Sequence, residues 1–307
     1  MTNVSSRWQG VAAVLVSAGC FAASSILYKI AYRLGLTPSQ VLALHSWIAG
    51  VILLVFVMVL RQEVLRQKAR LLGILVIIGL VGKLGTNILV AYALFFLPAS
   101  VAIFLLYMYT VFTVAVGAVF LHKKVQKKEI IALALVTGGA ILASGVLTGV
   151  RGTSLMGVFL ALGSAVCYTI YNVVGELALT KVSPLAVMSY TQWISALGIA
   201  AYFGKDVFNM PWTVPGVWGI GIAMAVISSI LPFYLVLYGI RKIGAGQAAI
   251  LSTFELPATF VIAWLFLQEL PNCNQILGGL LVILGVVFLN FWKRQAQAKR
   301  CDPHEPN

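Results

Sequence analysis

The chain has 307 residues, 61% of them hydrophobic and only 9% charged, with a mean hydropathy of +1.00. Soluble domains carry about 45–50% apolar and about 25% charged residues, so a soluble globular protein is excluded. The net charge of +13 would suit nucleic acid, but the basic residues sit in short segments between apolar runs. That is the distribution the positive-inside rule produces, and it excludes nucleic-acid binding.

In chain order, apolar runs bounded by Pro, Gly and charge predict ten membrane helices, at 9–31, 40–60, 71–96, 99–121, 129–148, 155–178, 186–204, 215–239, 246–267 and 276–292. Runs of about 20 apolar residues without two-residue alternation are helices, because a helix satisfies its backbone internally in lipid. The first run also has the outline of a signal peptide ending at Ser17-Ala18-Gly19-Cys20. Ser17 is not the aliphatic residue a lipoprotein site wants and the segment recurs later in the chain, so span 1 is expected to be retained. The four cysteines form no CxxC pair, so neither a disulfide framework nor a metal site is expected.

Sliding the chain on itself by 146 residues carries Pro38 onto Pro184, Trp47-Ile48 onto Trp193-Ile194, Gly73-Ile74 onto Gly219-Ile220, Tyr92 onto Tyr238 and Gly139 onto Gly285. Span 1 follows with a one-residue slip. The expected fold is therefore an all-α membrane protein of ten transmembrane helices, two five-helix repeats at 1–150 and 151–293, followed by a polar tail at 294–307. An odd number of spans per copy makes the second copy enter from the opposite face, an inverted repeat around a central cavity. With the N-terminus in the cytoplasm, only Lys29, Arg33, Arg151 and Lys205 among the loop-flanking cations fall outside. Both termini are then cytoplasmic and the protein lies in the cytoplasmic membrane. Gly145 and Gly149 form a GxxxG in span 5, a candidate contact for a homodimer.

Ten spans, the five-plus-five repeat and, in the second copy, Glu255-Leu256-Pro257 leading through Leu265-Phe266-Leu267-Gln268-Glu269 into Gly278-Gly279 and Gly285 resemble the drug/metabolite transporter superfamily, specifically the EamA-type exporters. The resemblance implies a cavity lined by spans 1, 3, 4, 6, 8 and 9, peripheral spans 5 and 10, and alternating access. The first copy departs from the pattern, with Val111 where the second has Pro257 and Lys123 where it has Glu269, and span 2 carries His45-Ser46-Trp47 where many relatives have an Arg.

A charge at the bilayer centre costs about 2.5–3.5 kcal/mol on insertion scales, so each one there needs an explanation. Lys83 in span 3 and Glu255 in span 9 are the pair of opposite charges at similar depth near the midplane. Two readings stay open: the two face one cavity and bind a zwitterion, or they pair and lock the spans together. Asn87 lies one turn beyond Lys83 on the same face. Tyr109 falls on Glu255 at the 146 offset, and Tyr107, Tyr234 and Tyr238 are further wall candidates. In span 6, Tyr168, Asn172 and Glu176 recur at spacing four; Glu176 and Lys29 are gate candidates at opposite mouths. His45 and Gln192 could titrate or hydrogen-bond, and Pro232 and Pro257 are expected to break the helical ladder.

The two aspartates, Asp206 and Asp302, lie outside predicted spans, and no HExxH, GxSxG or complete Walker A occurs, so an enzyme is not expected. The expected function is a secondary active transporter, an exporter of small polar or amphipathic, amino-acid-like metabolites. Its partners are the lipid bilayer, the small-molecule substrate and protons as candidate coupling ion, with no cofactor. A passive channel or a lipid or lipid-linked sugar flippase of the same architecture is the alternative, an intramembrane enzyme the distant one.

Overall fold

The computed structural model describes residues 4–97, 99–121, 125–144, 154–209, 216–267 and 273–298. Described residues form fourteen α-helical segments and no strand: α1 Val4–Arg33, α2 Pro38–Leu60, α3 Ala69–Ile77, α4 Thr86–Phe96, α5 Ala99–Tyr107, α6 Tyr109–Phe120, α7 Lys127–Ser144, α8 Leu155–Leu179, α9 Pro184–Phe208, α10 Val217–Met224, α11 Leu231–Ile243, α12 Ala245–Ser252, α13 Glu255–Leu267 and α14 Cys273–Ala298. Seven stretches are long and apolar enough to cross a membrane: Ser6–Arg33, Pro38–Leu60, Leu71–Ala93, Ala102–Phe120, Leu155–Leu179, Val217–Ile243 and Ala245–Phe266. The other three predicted spans are helical too, as α7, α9 and α14. The candidate GxxxG at Gly145 and Gly149 lies outside the described residues.

Helix starts follow the local sequence. Thr37 caps α2 by accepting the Gln40 N–H, the Gln40 side chain accepts the Thr37 N–H, and Pro38 occupies the first helical position, where its missing N–H is no loss. Ser183 accepts the Ala186 N–H ahead of Pro184 in the same way. Predicted spans 3, 4, 8 and 9 are interrupted. Spans 3 and 8 each open into a π-helical segment, Ile78–Gly85 (π1) and Ala225–Ile230 (π2). Span 4 breaks at Met108 and span 9 at Thr253–Phe254.

Proline accounts for half of these. Pro232 and Pro257 have no N–H to offer the carbonyls four residues earlier, which lie in π2 and at the span 9 break. The break at Met108 occurs without a proline, and π1 instead holds three glycines, Gly79, Gly82 and Gly85. At the chain's end α14 continues to Ala298, past the predicted limit at 292, because Gln295–Ala298 are good helix formers with no cap or proline to stop them.

The largest buried cluster joins α1, α2, α8, α9, α11 and α12 through Val14, Leu53, Tyr171, Met188, Leu237, Ile240 and Leu251. Large apolar side chains face outward, among them Phe120, Leu155, Phe159 and Phe266, each more than 70% exposed. Such a surface suits hydrocarbon and would drive a soluble protein to aggregate. α7 and α14 pack on one another through backbone. A Cβ on Gly139 would stand 2.6 Å from the Gly278 carbonyl oxygen, and one on Gly285 would stand 3.0 Å from that of Ala132.

Gly244 turns the chain between α11 and α12 at φ +84°, ψ 157°, a region essentially closed to other residues. Gly244→Ala is expected to destabilise by about 1–3 kcal/mol, seen as a lower thermal-unfolding midpoint in detergent. Gly73→Ala, with open space around its Cβ, is expected to leave the midpoint unchanged or raise it slightly.

Candidate functional site

Lys83 sits in π1, buried, with only 4% of its surface exposed. π1 packs against α8 and α9, and it does so closely because Gly82 has no side chain: a Cβ there would lie 3.0 Å from the Tyr171 Cα. The Lys83 ammonium donates to Gln192 Oε1 of α9 at 2.5 Å and lies 3.8 Å from the centroid of the Phe233 ring of α11. The ring face attracts the cation. An ammonium carries three donors, and Gln192 takes one of them. Gln192 is itself fixed, because its amide donates to the Ser46 carbonyl at 2.9 Å.

Glu255 is the first residue of α13, half-buried. The break before it places the carboxylate in a first helical turn, where the helix dipole favours negative charge. Tyr107, Tyr109 and Tyr168 lie within electrostatic reach of this carboxylate. No ion pair joins Glu255 to Lys83. Aromatic rings connect them instead, Tyr109 to Tyr168 at 4.6 Å, Tyr168 to Tyr171 at 5.8 Å and Tyr171 to Phe233 at 5.5 Å between centroids, with Phe21 edge-on to Phe233 at 5.3 Å. Between the cation at one end and the carboxylate at the other stands an aromatic wall.

The remaining predicted residues divide. Tyr109 joins the wall. Asn87 is half-buried in the first turn of α4. Asn172 donates to the Tyr168 carbonyl of its own helix at 2.8 Å, which orients the Tyr168 backbone more than it reaches out. Glu176 lies apart from Lys83: its carboxylate accepts the Ala245 N–H at 3.0 Å, at the start of α12. The backbone of Lys29 belongs to α1, and its side chain lies outside the described part of the structure.

Glu176 lines a cavity of about 410 Å³ together with Thr113, Gln126, Glu129, Gly244 and Gln247. Glu129 accepts from the Gln247 amide at 3.1 Å, so two carboxylates from α7 and α8 tether the start of α12. Lys83 and Glu255 do not line this cavity. Tyr171, Phe233 and Glu129 went unread in the sequence as site residues. Phe233 follows Pro232, the one signal that could have marked it.

Apolar helices packed around a buried lysine and a half-buried carboxylate are the build of a multi-pass membrane transporter. The sequence pattern of the EamA-like transporter family matches the chain twice, over residues 8–145 and 155–291, and the chain belongs to that family. It is a transporter of the drug/metabolite type and not an enzyme. It is 25% identical over 275 residues to the uncharacterized transporter YyaM of Bacillus subtilis, covering 88% of this chain and 85% of the relative. It is 22% identical over 226 residues to a protein of Streptantibioticus cattleyicolor named as a probable terminal-alkyne amino-acid exporter, covering 73% and 75%. One crystal structure superposes with a TM-score of 0.78 over 95% of this chain and 99% of its own at 17% identity, a likeness of fold alone.

Proposed function

We propose that the chain is a ten-span secondary exporter of amino-acid-like zwitterions in the cytoplasmic membrane, built as two inverted five-helix repeats with both termini in the cytoplasm and working by alternating access. The observation that carries the substrate class is the aromatic wall between the Lys83 ammonium and the Glu255 carboxylate. The cation receives the substrate carboxylate, the anion receives its amine, and the rings accept an apolar side chain. Glu176 and Lys29 act at opposite mouths, and protons are the coupling ion. The amino-acid exporter among the relatives supports the same class.

Contacts between repeat-equivalent residues support the inverted repeat. Gln192 bonds Ser46, 146 positions away, and Tyr109 lies within electrostatic reach of Glu255 at that same separation. Residues that touch their own counterparts lie near a two-fold axis. π1 and π2, the breaks at Met108 and Phe254, and the capped prolines Pro38 and Pro184 also correspond at this offset.

Purified protein in liposomes preloaded with phenylalanine is expected to accumulate labelled phenylalanine by counterflow, saturably, and more strongly than phenethylamine or phenylpropionate. Steady, non-saturating conductance in planar bilayers would establish the passive channel instead.

A further inference from the structure

The wall from Lys83 to Glu255 leaves a second buried polar cluster unused. His45 of α2 is 5% exposed, and both its ring nitrogens are engaged. Nε2 lies 3.0 Å from the Tyr28 hydroxyl of α1 and Nδ1 lies 2.8 Å from the Ser229 hydroxyl in π2. We infer that His45 is the proton-carrying residue of this transporter, with Tyr28 and Ser229 as the groups that deliver and remove its proton. The inference rests on the reading of the chain as a proton-coupled carrier and names the site where the proton rides.

The argument lies in the chemistry of the two partners. A histidine held for structure alone commonly donates to a carbonyl or carboxylate, and an acceptor of that kind fixes one tautomer. A hydroxyl both donates and accepts. With a hydroxyl on each nitrogen, three states of the ring keep every hydrogen bond: Nδ1–H neutral, doubly protonated, and Nε2–H neutral. A proton enters when the Tyr28 hydroxyl passes its hydrogen to Nε2 and regains one from a water molecule on its far side. It leaves when Nδ1–H passes its hydrogen to Ser229 Oγ, which gives its own to a second water. No bond other than O–H and N–H changes and no electron moves.

The placement ties this proton to the substrate site. Ser229 occupies in π2 the place that Lys83 occupies in π1, at the 146-residue offset. The residue after His45 is Ser46, whose carbonyl holds Gln192, the acceptor for Lys83. Among the described residues, the titratable groups around the ring are Tyr28 of α1, at hydrogen-bond distance, and Lys83 of π1, the cation within its electrostatic reach. A proton on His45, which bonds Ser229 of π2, and a charge on Lys83, which stands in π1, therefore sense one another.

Two measurements test the assignment on the full chain. Histidine carrying ¹⁵N in the ring, incorporated into wild-type protein in nanodiscs, gives Nδ1 and Nε2 signals from three residues to sort, His45, His122 and His304. The expected His45 signals show both tautomers in exchange; a single fixed neutral tautomer between pH 5 and about pH 9 would overturn the assignment. In liposomes, His45→Gln is expected to lose at least about ten-fold in phenylalanine accumulation driven by a pH gradient while keeping counterflow within about two-fold of wild type. Retained gradient-driven accumulation, or equal loss of both modes in a folded variant, overturns the inference. Wild type that exchanges phenylalanine but ignores a pH gradient overturns it as well. Wild type that exchanges none of the probes sinks the substrate reading instead, and the ring signals still decide on His45.

Discussion

Lys83→Met is expected to lower phenylalanine counterflow by roughly 10- to 150-fold, the range that corresponds to about 1.5–3 kcal/mol for a hydrogen bond to a charged group. The loss is selective. Phenethylamine, which has the ring and the amine but no carboxylate, is expected to move through Lys83→Met as it does through wild type. Glu255→Gln reverses the pattern: phenylalanine falls by a similar factor and phenylpropionate, which lacks the amine, is unaffected. A pair of variants that lost all three compounds equally would show the charges to be structural, since a collapsed site does not distinguish the ends of its ligand. Lys83→Met also leaves the Gln192 carbonyl without its donor, so a modest fall in thermal stability accompanies the change in selectivity. That fall alone does not produce opposite preferences in the two variants.

The second large effect concerns stability. Gly139→Val forces a branched side chain into the 2.6 Å between its Cβ position and the Gly278 carbonyl oxygen. The obstacle is backbone, which cannot rotate aside as a side chain can, so α7 and α14 must separate. Overpacking typically costs about 1–3 kcal/mol, and a backbone obstacle places this site at the upper end. Gly138→Val, one residue away with nothing within 4 Å of its Cβ position, is expected to stay within about 0.5 kcal/mol of wild type. Melting of both variants in detergent, followed by size-exclusion profile, checks the contrast.

Much of this was legible in the sequence because hydropathy is a strong signal over twenty residues. Each predicted span corresponds to helix, and Lys83 and Glu255 stood out because a charge in an apolar run has no cheap explanation. Tyr109 was reached through the 146-residue offset. The π segments were not legible: six to eight mostly small and aliphatic residues carry no periodicity that separates a wide turn from an ordinary one. Nor was the break at Met108, which has no proline to announce it. The partners of Lys83 were hidden for another reason. Gln192 is 109 residues away, and Phe233 and Tyr171 read like any aromatic in an oily helix until the fold sets them edge to face between two charges. Asn172 shows the converse, a polar residue at the right spacing whose amide the fold turns back onto its own helix.

The glycine contact between α7 and α14 has a mechanical side. Where backbone rests on backbone there is no side chain to change rotamer, so the crossing cannot slide by small steps; it holds or it parts. The alternating access proposed above requires the chain to bend somewhere, and a fixed fulcrum on its flank would send that bending elsewhere. The places left to take it up include the interruptions at Met108, Thr253–Phe254 and Gly244 beside the two π segments, and the first two border Tyr107, Tyr109 and Glu255 directly.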